Sequence, residues 1–153
     1  MLATGAFLVT TAVLSQGVRT GLQIMQASAS LLNIITLVRR PDRPHHRAVE
    51  DCLVRLDLDH KLRLIHALHA STAFASLTTA EVLCWDAIQE IVQQVNACLD
   101  ATHATLRGHD ALWFAAYRAT GCETHIVTLD RLCPLLDARV AILLTILSLP
   151  YRS

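Results

Sequence analysis

The chain has 153 residues, of which 53% are hydrophobic and only 17% charged, against about 25% charged in an average soluble domain. Lys plus Arg and Asp plus Glu number 13 each, which excludes the net basic charge of a general nucleic-acid binder. The length suits one domain with a real core, and the apolar excess calls for a partner, a second copy or a membrane to cover it.

Residues 1–38 carry one formal charge, Arg19, and predict a long apolar helix over 3–38. Gln16, Arg19, Gln23, Gln26, Ser30 and Asn33 recur at alternating spacings of 3 and 4, which places them on one stripe. A narrow polar stripe in a wide apolar surround describes a helix packed among several others. Arg at the centre of a membrane helix costs about 2.5–3.5 kcal/mol on insertion scales, so a bundle helix is favoured. An inserted segment over residues 2–38 is the rival. A signal peptide fits poorly, because the start lacks Lys and Arg.

A basic loop follows over residues 39–47, with Arg39, Arg40, Arg43 and Arg47 around His45, His46 and two prolines. Pro41 and Pro44 stop the first helix. Four arginines so close together can meet phosphates or anionic headgroups, and they also suit the C-terminus of a helix. A second helix carries Val49, Cys52, Leu53 and Leu56. The Asp57-Leu58-Asp59 step predicts a break, with a third helix from 59 burying Leu58, Leu62, Ile65 and Leu68.

Thr78 and Glu81 have the spacing of a capping box. Behind them runs the cleanest amphipathic pattern in the chain: Val82, Trp85, Ile88, Val92, Val95, Leu99, Thr102 and Leu106. Gly108 is expected to end or bend this helix, and Gly121 reads as the residue after a helix end. The last helix is expected over 124–148, with Pro134 as a kink or restart and Leu129, Leu132, Leu136, Val140, Leu143 and Leu147 buried. The whole reads as an all-α, single-domain bundle of about five to six helices: residues 1–38, the loop 39–47, and the remaining bundle over 48–149.

Five cysteines (Cys52, Cys84, Cys98, Cys122, Cys133) with no Cys-x-x-Cys pair read as buried free thiols. That suits an intracellular, reducing compartment such as cytoplasm or a virion. His103, His109, Cys122 and His125 are ligand types that zinc accepts, but nothing in the sequence joins the two halves, so no metal ligand and no cofactor is assigned. The run from His109 to Arg118 holds Trp113, Phe114 and Tyr117, either an interface anchor with Arg118 or an aromatic plug at one end of the bundle. No nucleophile elbow, zinc-protease helix motif, phosphate loop or dinucleotide turn is present, so no catalytic residue is assigned.

Three stretches carry a resemblance. They hold Leu56, Asp57, Lys61 and Leu62; then His109, Trp113, Phe114 and Arg118; then Leu136, Asp137 and Arg139. In this order they resemble short, all-helical, uncharacterised proteins of large DNA viruses of eukaryotes, over roughly residues 30–148. The resemblance implies a small viral helical protein and names no catalytic residue. The expectation is a non-enzymatic structural or interaction protein, virion-associated or acting in assembly. It would work through apolar helix faces on a protein partner or a second copy, with a membrane-anchored protein as the first alternative, a small metal-binding bundle using His103, His109, Cys122 and His125 as the second, and nucleic acid disfavoured.

Overall fold

The computed structural model describes residues 3–40, 42–112, 114–115 and 118–149, with side chains in the first helix for Arg19 and from Leu22 onward. Five α-helices follow one another: α1 (Ala3–Val38), α2 (Arg47–Arg55), α3 (Leu58–Ser71), α4 (Thr79–Asp110) and α5 (Glu123–Ser148). Short 3₁₀ turns, Pro44–His46 and Phe74–Ser76, precede α2 and α4. No strand occurs among the described residues.

Local chemistry explains the boundaries. Pro44 opens the first 3₁₀ turn, at a position where its missing N–H costs nothing. Between α2 and α3, Asp57 adopts φ 50° and ψ 39°, a left-handed conformation that Asp tolerates better than most residues. This turns the chain, so α3 starts at Leu58. Thr72 and Ser71 close α3 by donating to the Leu68 carbonyl at 2.6 and 2.9 Å. At the start of α4 the Thr78 N–H donates to Glu81 Oε2 at 2.7 Å, and the Glu81 N–H donates back to Thr78 Oγ1 at 3.3 Å. This is the expected capping box, and it accounts for a buried Glu81.

α4 is the central helix. Its predicted apolar positions, from Val82 through Leu106, are all buried, together with Ile91 and Cys98. The second stripe is needed because α4 packs on α1 along one side and on α5 along the other. Gln89 of α4 donates to Gln23 of α1, and Leu106 and Leu37 share a cavity wall, so α1 and α4 run parallel. α5 runs antiparallel to α4: His125 lies against Cys98 and Thr105, while Arg139 and Ile142 lie beside Leu83 and Cys84. α3 packs on α1 and is tied to α5 by the Lys61–Asp137 ion pair at 2.8 Å; Arg55 and Asp130 make a matching link at 2.8 Å. The result is a four-helix bundle with α2 as a spacer.

The structure departs from expectation at Gly108, Gly121 and Pro134, and Leu68 and Leu147, expected in the core, are only partly buried. Gly108 does not end α4, which continues to Asp110. Gly121 does have a left-handed φ of 74°, but it sits one residue before the Cys122 N-cap of α5 and not behind a helix. Pro134 does not split α5, which runs through it unbroken. The polar stripe of α1 faces solvent at Arg19, Gln23, Gln26, Ser30 and Asn33, and the buried side is Ile24, Ser28, Leu31, Ile35 and Val38. Leu22 at 60% and Leu37 at 38% are exposed, so this part of α1 is amphipathic and not enclosed on all sides. No helix among the described residues is long and apolar enough to cross a membrane.

Candidate functional site

Because α1 and α4 are parallel, both end at the same pole of the bundle. The basic loop folds across that pole and delivers His45 and His46 to Asp110, the last residue of α4. His45 Nε2 donates to Asp110 Oδ1, and His46 Nε2 lies 3.2 Å from the same oxygen. His46 Nδ1 lies 3.3 Å from the carbonyl of Val38, the last residue of α1. Arg43 Nη1 stands 3.7 Å from Asp110 Oδ1 and its Nε stands 3.7 Å from Asp42.

The histidine side chains are 8% and 4% exposed, and that of Asp110 is 22% exposed. Partial burial pushes the Asp110 carboxyl up. Hydrogen bonds from His45 and His46, with the charges of His46 and Arg43, outweigh that and hold it below the ordinary carboxylate range. The rings of His45 and His109 have centroids 4.9 Å apart, and His109 Nε2 donates to the Arg118 carbonyl at 3.0 Å. A cavity of about 590 Å³ opens beside the cluster, lined by Leu37, Arg40, His46, His103, Leu106, Arg107, Asp110 and Ala111.

The sequence-predicted residues divide as follows. Arg39, Arg40 and Arg47 are exposed at this pole, as an anionic-surface contact requires, whereas Arg43 is drawn to Asp42 and Asp110. Phe114 is 72% exposed with φ 60°, so it is no part of an aromatic plug; Arg118 is exposed; Trp113 and Tyr117 lie outside the described residues. Among the described residues an aromatic cluster lies at the opposite pole, where His69, Phe74 and Trp85 meet in tilted and edge-on contacts with centroids 4.4 to 5.9 Å apart. His103, His109, Cys122 and His125 are not gathered: His125 Nε2 meets Thr105 Oγ1 at 3.3 Å, and Cys122 is the buried N-cap of α5. The five cysteines are free, and all but the half-buried Cys84 are buried.

A second feature lies on the outside of α5. Arg131, Leu135, Ala138, Ile142, Thr145 and Leu149 alternate at spacings of 4 and 3, and every one of them is exposed. Leu135, Ile142 and Leu149 are 44%, 49% and 52% exposed, and Leu83 of α4, at 63%, sits beside Ile142 and widens the apolar strip. The apolar positions expected for α5 from sequence are those of its buried face. The outer repeat was available as the spacing of Leu135, Ile142 and Leu149, each seven residues from the next.

The chain matches no protein-family model, no curated protein and no solved structure.

Proposed function

We propose that this protein is a non-enzymatic helical interaction protein that pairs with a second copy of itself through the outer face of α5. One observation carries the reading: an exposed face with a 3.5-residue repeat. A lone solvated helix has no reason to keep Leu, Ile and Leu at every second turn of its exposed side, whereas a helix that meets another helix does. The small Ala138 and Thr145 between them allow close approach. The helical part of the repeat, from Arg131 to Ser148, covers about 26 Å at 1.5 Å per residue, and Leu149 follows as the C-cap residue.

The occupant that fits is another α5 in antiparallel orientation. Among the seam positions the one charge is Arg131, at one end, and Arg139 flanks Ile142 on the Leu83 side. A two-fold axis through the middle of the strip sends each Arg131 to an outer edge, opposite Leu149 of the copy. The low charged fraction of the chain agrees with such a buried interface. A virion-associated or assembly role is the function that the viral resemblance would add to this reading.

The test is sedimentation equilibrium on the wild-type chain and on a Leu135→Glu, Ile142→Glu double variant. The expected result is a dimer for the wild type and a monomer for the variant, with unchanged helical circular dichroism. A wild type that stays monomeric up to its solubility limit overturns the proposal, as does a variant that dimerises equally well.

A further inference from the structure

The histidine–aspartate cluster at the pole plays no part in that interface, and its donor set is chemically specific. We propose that His45, His46 and Asp110 bind one divalent transition-metal ion of the zinc type, which fastens the basic loop to the end of α4. Two imidazole nitrogens and one carboxylate oxygen lie within 4.8 Å of one another. Zinc bonds of about 2.0–2.2 Å in tetrahedral array put neighbouring donors about 3.3 Å apart. His46 Nε2 and Asp110 Oδ1 stand at 3.2 Å, whereas His45 Nε2 lies closer than that to the same oxygen and must draw back to admit an ion. Two imidazoles with a carboxylate select zinc, cobalt, nickel or iron over magnesium and calcium.

The strongest argument is the arrangement of His46. A backbone carbonyl only accepts, so the Val38 carbonyl requires the proton on Nδ1. Nε2 faces a carboxylate oxygen that also only accepts, so the contact described above needs a second proton on the ring, and without that proton Nε2 presents a lone pair. Two lone pairs do not face each other at 3.2 Å without something positive between them, either a second proton or a metal ion. His45 Nε2 donates to the same oxygen, and an ion taking the place of that proton would serve both rings. A histidine that gives Nδ1–H to a carbonyl and offers Nε2 outward has the outer-sphere support typical of a metal ligand. His45 Nδ1 has no partner, which makes His45 the weaker of the two ligands.

The surrounding charges fit. α1 and α4 both end here, and helix C-termini favour cations. Arg43 faces Asp110 but has Asp42 at an equal 3.7 Å as its alternative partner. Arg40 and Arg107 on the cavity wall are exposed and therefore screened. They favour an anion or water as the fourth ligand, entering from the cavity.

The experiment uses untagged, chelator-treated, full-length protein. Cobalt(II) is titrated and followed by visible absorption, zinc is then used to displace it, and magnesium serves as control. The expected result is one cobalt per chain, displaced by one zinc and untouched by magnesium, with affinity at least about tenfold weaker in Asp110→Asn and His46→Gln. Cys122→Ser and His125→Gln should bind like the wild type. If the ligand variants fail to fold, nitrogen-15 spectra of the wild-type histidine rings decide, because zinc must shift Nε2 of His45 and His46 and of no other ring. Binding well below one ion per chain overturns the proposal. So does undiminished binding by a folded Asp110→Asn variant, or zinc-shifted resonances from other histidines.

Discussion

Ser28 offers a sharp test of how α1 is packed. It is fully buried on the face of α1 that carries Ile24, Leu31 and Ile35, and its hydroxyl has no hydrogen-bond partner. A buried polar group left unpaired costs about 1–3 kcal/mol. Ala is also the better helix former by roughly half a kcal/mol. Ser28→Ala removes one oxygen, so the cavity it leaves is small and the lost contacts offset only part of the gain. The expected net effect is a stabilisation of about 1–2 kcal/mol, which raises Tm by about 2–8 °C in a domain of this size. Thermal and urea unfolding, followed by circular dichroism, measure it, and the slope of the urea transition should stay constant. A Ser28→Ala protein less stable than the wild type by 1 kcal/mol or more would refute the reasoning, because the hydroxyl would then have to be satisfied in the folded state. Ser28→Val keeps the apolar logic but adds bulk in a tight place, so it should gain less than Ala or lose stability.

Two further outcomes follow from burial along the same bundle. Leu99 is fully buried in the middle of α4 and Val54 is 61% exposed on α2; Leu99→Ala should cost about 2–5 kcal/mol and Val54→Ala less than about 1 kcal/mol. Equal losses in urea unfolding would mean that α4 is not the central helix. Burial is the first cause raising the thiols of Cys84 and Cys133, and it pushes Cys133 up to about 11. A raised thiol keeps its proton to higher pH, so at pH 8 only about a thousandth of Cys133 is thiolate. Iodoacetamide on the folded protein should therefore modify the half-buried Cys84 first, faster as pH rises, and reach Cys133 only on unfolding; mass spectrometry showing Cys133 labelled as fast as Cys84 would contradict this.

The helices were legible in the sequence where their signals are local. The capping box of α4 lies within four residues, and its apolar stripe repeats every turn, so propensity, capping and pattern agree. Glycine and proline misled where the helix continued. Gly108 has open space around it and only its own entropy to lose, and Pro134 sits on the solvent side of α5. A breaker's cost of about 1–3 kcal/mol is outweighed when the residues on both sides are buried on one continuous face.

The candidate site was not legible as a site. His45 and His46 stood in a basic loop, and Asp110 headed an aromatic run, 64 residues along the chain from His46. Neither position carries a ligand pattern of its own. The residues meet because α1 and α4 pack parallel and finish together. That depends on which side chains interdigitate between the helices and not on any single helix's periodicity. By itself the sequence determined that the chain is helical, where α4 begins and which of its faces is apolar, because those depend on hydrogen bonds and spacing within a few residues. Only the tertiary structure decided that the two C-terminal ends share a pole, that the loop histidines close on Asp110, and that a second apolar stripe of α5 stays outside, because burial is a property of neighbours that the sequence does not place.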